Sequence, residues 1–330
     1  MTRPTYRRYG WTAVVGTLVA SGASHGCSVI ETPRSKTGFA PLSSMTSLIY
    51  IHKGYSWYVP LALRNGRRFA DDEVHFLGDR FGCAVARACG VNASNLGDFR
   101  QGADRFAAIY RHHSSLGPDF ELFCIQRWFM LADFMTARGL DSCVYLDTDI
   151  LLSKNIEDER ARTLEFGLTY SGYSAHLCCV NRLSALQQFC NWIMALYSDP
   201  SSEERMIDWH RKLLADYAGG GVSDMTLFHW FQKDHPKVLG DYPAIFGDSP
   251  FDVSLEEVRS FQADEEGFKR LVWSDDRPSA VADDGRLIGL ASLHHQGRAK
   301  ALLTQNAAAL GGNAALQTAM GKALELLYRA

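Results

Sequence analysis

The stretch that most constrains this chain is Val144–Leu152, VYLDTDILL, where two carboxylates interrupt an otherwise apolar, aromatic and branched run. Such a run reads as a buried strand, and burying a carboxylate without a partner is costly. Asp147 and Asp149 are therefore expected where the strand ends and something meets them. In open α/β sheets ligands bind beyond the carboxyl ends of strands, and alternation sends residues two apart to the same side. A carboxylate pair there suits Mg²⁺ or Mn²⁺, hard ions that take few protein oxygens and complete their coordination with phosphate and water. The plainer reading, a turn-capping Asp147 and a solvated Asp149, would serve for an isolated DxD triplet. The apolar flanks favour a ligand site.

The elements around the triplet read as α/β. Leu48–His52 is a short buried strand closed by Lys53-Gly54. Ser56 is expected to cap a helix carrying Trp57, Pro60, Leu61, Leu63 and Phe69, with Pro60 in its first turn. Val74–Leu77, stopped by Gly78-Asp79, completes a βαβ unit, which implies a parallel sheet with crossover helices. After Gly117-Pro118, Asp119 is expected to cap a long helix with Phe120, Phe123, Cys124, Trp128, Leu131, Phe134 and Met135 on its apolar face and Gly139 as its stop. Cys143–Leu146 then leads into the aspartates. Asn181 is expected to cap a helix carrying Leu183, Leu186, Phe189, Ile193 and Tyr197. Gly219–Gly221 run through Ser223-Asp224 into a helix with Phe228 and Phe231. With no internal repeat and no long linker, one α/β domain is expected from about Met45 to the end, more irregular in its second half.

Charge and cysteine usage narrow the class further. The 330 residues carry 34 Lys+Arg against 37 Asp+Glu, with 46% hydrophobic and 22% charged, values of a globular chain. A net charge of −3 argues against nucleic acid as partner, since phosphate binding needs a basic surface. No two of the eight cysteines are spaced CxxC, so a zinc ribbon or thioredoxin-like site has no support, and free thiols in a reduced compartment are expected. Residues 1–44 stand apart: Arg3, Arg7, Arg8, Arg34 and Lys36 against Glu31 give +4, leaving −7 for the rest. Their basic start, the short apolar run Trp11–Ala20 and the small residues that follow are similar to a secretory signal, but the run is too short to span a bilayer. We read 1–44 as an unstructured N-terminal extension, with a cytoplasmic protein following it.

A second segment, Ser292–Lys300 (SLHHQGRAK), combines an imidazole, a glycine and a lysine. A neutral histidine can ligate a metal, and a lysine can meet phosphate as a point charge. By itself the segment is also a plain basic loop. Taken together with IYIHKGYSWYVPLAL, HFLGD, FELFCIQRWF, VYLDTDILL and SDMTLFHWF, it makes the chain, from Ser47 to about Leu303, resemble GT-A-type nucleotide-sugar glycosyltransferases. The resemblance is closest to bacterial surface-polysaccharide enzymes loosely similar to glycosyltransferase family 8.

The resemblance implies a GT-A-like, mostly parallel central sheet with flanking helices and transfer from a nucleoside-diphosphate-sugar, a UDP-sugar by preference. It implies a saccharide or glycolipid acceptor, with peripheral association at the inner face of the membrane. Asp147 and Asp149 match the family's DxD around Thr148, and His294, Gly297 and Lys300 match its HxxGxxK, so His294 would join the aspartates on Mn²⁺ or Mg²⁺ and Lys300 would meet the diphosphate. His295 stands where an aromatic residue is usual. Arg127 falls where relatives carry a basic residue facing donor phosphates; its alternative is a snorkelling arginine over apolar surface. Asp224 would hold hydroxyls of the transferred sugar or else cap its helix, and Asp79 would approach the nucleotide or else end its strand. His112-His113 and Cys178-Cys179 read as structural. Rival readings are a metal-dependent nucleotidyltransferase or phosphohydrolase, and a non-catalytic sugar-nucleotide or glycan-binding protein.

Overall fold

The computed structural model describes residues 47–70, 73–171, 174–242 and 250–329. The extension expected over 1–44 lies outside the described residues, as does the expected domain start at Met45. The chain begins with β1 (Ser47–Ile51), α1 (Val59–Phe69), β2 (Val74–Gly78), α2 (Arg80–Ala88) and β3 (Asn92–Asn95). It continues with α3 (Gln101–Ala107), α4 (Pro118–Arg138), β4 (Cys143–Leu146), β5 (Ile150–Leu152), α5 (Glu157–Ala161), β6 (Leu168–Tyr170) and β7 (Leu177–Val180). Then come α6 (Leu183–Ser198), α7 (Ser201–Tyr217), α8 (Asp224–Asp234), β8 (Leu239–Asp241), β9 (Leu271–Ser274), β10 (Arg277–Val281), β11 (Leu287–Gly289) and β12 (Ser292–His294). Helices at Leu303–Ala309 and Ala314–Arg329 close the described chain.

Seven strands form the central sheet in the order β3-β2-β1-β4-β7-β6-β8. β1 is parallel to β2 and to β4, β2 to β3 and β6 to β8, while β7 runs antiparallel to both β4 and β6. The sheet is thus mixed and mostly parallel, as expected from the βαβ reading. Alternation along the strands builds two cores. Ile49, Ile51, Tyr145, Cys143 and Cys178 face α4, α6 and α8 through Trp128, Phe189 and Phe228. Leu48, Tyr50, Val144, Leu146 and Cys179 face α1 and α2 through Val59, Leu63 and Cys83. Cys178 and Cys179 are accordingly free thiols on opposite faces of β7.

Helix types and approximate extents follow the apolar periodicity, but three expected caps are elsewhere. α1 starts after Tyr58, with Ser56 giving only its backbone carbonyl to Val59 N at 3.0 Å. α4 starts after Gly117, because Pro118 with its fixed φ takes the first helical position and moves Asp119 into the first turn. Arg182 precedes α6; the Asn181 amide instead donates to Thr163 O and Phe166 O at 2.9 and 3.2 Å, anchoring the preceding loop. Gly139 does end α4, with φ +65.

One topological detail positions the site. β5 leaves the central sheet and pairs antiparallel with β12, Ile150 opposite His294 and Leu152 opposite Ser292. The residues between β4 and β5 are Asp147-Thr148-Asp149, so this two-stranded ribbon carries His294 alongside the aspartates.

Candidate functional site

A cleft of about 530 Å³ opens at the carboxyl ends of β1 and β4. Its wall draws on the β1–α1 loop (His52, Lys53, Tyr58), the first turns of α4, the aspartate turn, the start of α8 (Ser223, Asp224, Met225) and the segment after β12 (His294, Gln296, Lys300).

Asp147, Asp149 and His294 meet at its floor, each offering one donor atom, all within 4.8 Å of one another. Asp149 Oδ2 accepts from Lys300 Nζ at 2.6 Å, and Oδ1 faces His294 Nε2 at 3.5 Å. His294 Nδ1 donates to the Val253 carbonyl at 2.6 Å, which leaves Nε2 as the ring's ligand atom, the orientation usual for metal-bound imidazole. The donor chemistry, two carboxylates and an imidazole nitrogen with phosphate-sized space above them, fits a divalent cation.

A second polar chain leads away from this cluster. Asp147 Oδ1 accepts from Arg127 Nη1 at 2.6 Å and from the Tyr145 hydroxyl at 2.5 Å. Arg127 Nη2 reaches Asp224 Oδ2, also at 2.6 Å, where the Trp128 indole donates at 3.2 Å. Arg127 is thus a bridge between two carboxylates rather than a snorkelling side chain. Ser223 caps α8 by accepting from Thr226 N at 3.4 Å, which frees Asp224, its first helical residue, to turn to Arg127.

Burial opposes ionisation of both floor carboxylates. At Asp149 the His294 ring and the Lys300 ammonium outweigh it and hold the carboxyl well below the usual range. At Asp147 burial prevails over Arg127, and the carboxyl sits above its ordinary value. Burial also disfavours charge on His294, but the adjacent Asp149 outweighs it and raises the ring's pKa. Burial lowers His52 to about 4, so this histidine is neutral where it meets Thr148 Oγ1 at 2.9 Å.

The remaining expected residues divide. Thr148 lies in the wall of the cleft. Gly297 and Asp79 are not among the lining residues. Gly297 has φ +56, and a Cβ there would run into the Glu256 side chain. Asp79 caps α2 by accepting from Gly82 N at 2.7 Å and also takes a hydrogen bond from the Tyr328 hydroxyl at 2.9 Å. His295 is held at Nδ1 by the Asp149 carbonyl at 3.2 Å and at Nε2 by the Asn306 amide at 3.0 Å, so it supports the floor without joining the donors.

Several contributors escaped sequence reasoning. His176 stacks on His294 with ring centroids 4.3 Å apart and planes 7° from parallel. Asp252, buried with Lys269 at 2.6 Å, accepts from His294 N at 3.1 Å. Glu121 lines the cleft, almost fully buried, and accepts from Ser114 Oγ at 2.8 Å. Tyr145, two residues before Asp147 on the same strand side, was the one with a legible signal.

No family model matches the chain, and no curated protein matches it. Among solved structures, the glycosyltransferase GlyE of Streptococcus pneumoniae TIGR4 is similar at 14% identity and TM-score 0.36, covering 62% of this chain and 47% of that one. The apo structure of the bifunctional glycosyltransferase WbbM is similar at 9% identity and TM-score 0.41, covering 82% and 51%. The PaToxG glycosyltransferase gives 10% identity and TM-score 0.33, covering 58% and 69%. This chain spans about half the length of GlyE and of WbbM. Likenesses this distant carry no argument about activity, which has to come from the cleft. Among the described residues no helix is long and apolar enough to cross a membrane.

Proposed function

We propose that the protein is a GT-A-like, metal-dependent glycosyltransferase that moves a sugar from a nucleoside-diphosphate-sugar, a UDP-sugar in the first instance, to a saccharide or lipid-linked saccharide. The observation that carries this reading is the meeting of Asp147, Asp149 and His294 within 4.8 Å at the floor of an open cleft, with Lys300 on the rim of the same cluster.

The difficult step in such a transfer is departure of the diphosphate, which accumulates negative charge as the sugar becomes oxocarbenium-like. A divalent cation on Asp147, Asp149 and His294 would supply fixed positive charge where that negative charge develops. The two carboxylates suit a hard ion, Mn²⁺ or Mg²⁺, and the imidazole adds a nitrogen donor to the set. Lys300 offers an ammonium that can turn from Asp149 to a phosphate oxygen as a point charge. Arg127 holds Asp147 and Asp224 in fixed orientations, so Asp224 keeps its carboxylate toward the cleft for sugar hydroxyls. Similarity to family 8 implies retention of anomeric configuration.

The test is release of nucleoside diphosphate from a panel of nucleotide sugars, with Mn²⁺, with Mg²⁺ and with EDTA. Release that needs the cation and rises with acceptor supports the reading. Full activity in EDTA would overturn the metal dependence, and release indifferent to every acceptor would mark a hydrolase.

A further inference from the structure

The outer half of the cleft is built differently from its floor. Phe120 is 59% exposed there and is the only Phe or Trp side chain left exposed among the described residues. Nearby Phe123 has Lys53 Nζ 5.6 Å from its ring centre, whereas among the described residues neither a ring nor a cation is stacked on Phe120. Phe120, Phe123, Cys124 and Arg127 recur at helical spacing and all line the cleft, so one face of α4 forms its wall from rim to floor. Seven residues of helix separate Phe120 from Arg127, a rise of roughly 10 Å. That leaves room for a ring beyond the one that sits at the aspartates.

The groups beside Phe120 are of two kinds. Leu116 and Met225 are further apolar side chains lining the same cleft, and Asp119 and Glu121, the sequence neighbours of Phe120, line it too. Carboxyl oxygens accept hydrogen bonds whether or not the group is ionised, so hydroxyl donors suit what they face. Glu121 already takes the Ser114 hydroxyl on Oε1, which leaves its other oxygen for a further donor. An apolar platform edged by acceptors matches a molecule with a flat C–H face and a rim of hydroxyls, and it disfavours a phosphate headgroup.

We propose that this outer half is the acceptor subsite and that the acceptor is a saccharide, one ring of which lies on Phe120. The proposal rests on the transferase reading for the word acceptor, but the binding itself can be read without turnover. The probe is an oligosaccharide array exposed to the full chain with Mn²⁺ and UDP, for the wild type, Phe120→Ala and Phe120→Trp. Phe120 is exposed, so neither variant should change the melting temperature appreciably. The wild type should bind a defined set of oligosaccharides, Phe120→Ala should bind them at least about tenfold more weakly, the scale of one aromatic contact, and Phe120→Trp should retain them. Equal binding by Phe120→Ala would overturn the proposal. So would a wild type that binds no saccharide while it transfers sugar to a polypeptide or lipid phosphate and frees nucleoside diphosphate, an outcome that leaves the transferase reading standing. Conversely, Phe120-dependent binding without any donor cleavage would sustain the saccharide site and sink the transferase reading.

Discussion

His294 gives its Nδ1 proton to the Val253 carbonyl and turns Nε2 to Asp149, while its neighbour His295 spends both nitrogens on the Asp149 carbonyl and Asn306. The two histidines should therefore separate on mutation. His294→Ala should abolish stabilisation of the protein by Mn²⁺, whereas His295→Ala should keep it and lose about 1–3 kcal/mol of stability by leaving Asn306 unpartnered. Melting with and without Mn²⁺ distinguishes them; reversed behaviour would show that His295 is the ligand. Asp147→Asn and Asp149→Asn should each cut turnover by about 10²–10³-fold, the scale of one lost electrostatic stabiliser. Glu121 supplies a pH test. Burial raises its carboxyl from 4.5 to about 7 despite the Ser114 hydrogen bond. Between those values the folded chain keeps a proton that the unfolded chain gives up, so stability falls as pH rises through the window. Glu121→Gln preserves the acceptor for Ser114 and should gain about 3 kcal/mol on the wild type between pH 4 and pH 8. Urea titrations at both pH values check this, and an unchanged difference would rule it out.

At the scale of elements, the cleft wall depends on a strap between two loops. Ser114 bridges Gly221, Val222 N donates to His113 O at 2.7 Å, and Ser115 N donates to Gly220 O at 3.0 Å. A Cβ at Gly221 would collide with the backbone of His113 and Ser114, so the loop that holds Ser114 against Glu121 can close only on glycine. Gly221→Ala should destabilise by about 2–3 kcal/mol, as overpacking against backbone does, and expose the first turn of α4 to hydrogen exchange. Retained stability with unchanged exchange would mean that the strap is dispensable. The triple glycine was visible in the sequence, but its partner was not, because 107 residues separate them and no periodicity links loops. The same limit explains β3: Asn92–Asn95 has no apolar alternation and is a strand only because it pairs with β2. β4 was legible to the residue because four apolar side chains are buried on both faces of a central strand, a pattern that turns cannot imitate. The capping residues were misplaced by one or two positions because Ser, Asp and Asn hydrogen-bond equally well to loops.

For the whole molecule, the floor of the cleft joins distant parts of the chain. Asp149 and Lys300 are 151 positions apart and touch at 2.6 Å because β5 and β12 share three residue pairs. If Mn²⁺ binds Asp147, Asp149 and His294, it binds only the folded chain, so the melting temperature should climb with its concentration. The gain should be about 2.7 kcal/mol at a hundred times Kd and should vanish in Asp149→Asn. A flat response in the wild type would dismiss the site.

That ribbon also sets an order of events. A ribosome delivers the aspartates long before it delivers Ser292–His294, so the central sheet can assemble while its donor set is still one imidazole short. Closing the ring between the two segments is a late, entropically expensive step whose cost grows only slowly with the length enclosed. A cation held across it would act as a removable cross-link, tying residues near the middle of the chain to residues near its end. Chelation would then do more than silence a reaction: it would loosen the tie between β5 and β12, and proteases should cut within residues 250–291 sooner than in the metal-loaded protein.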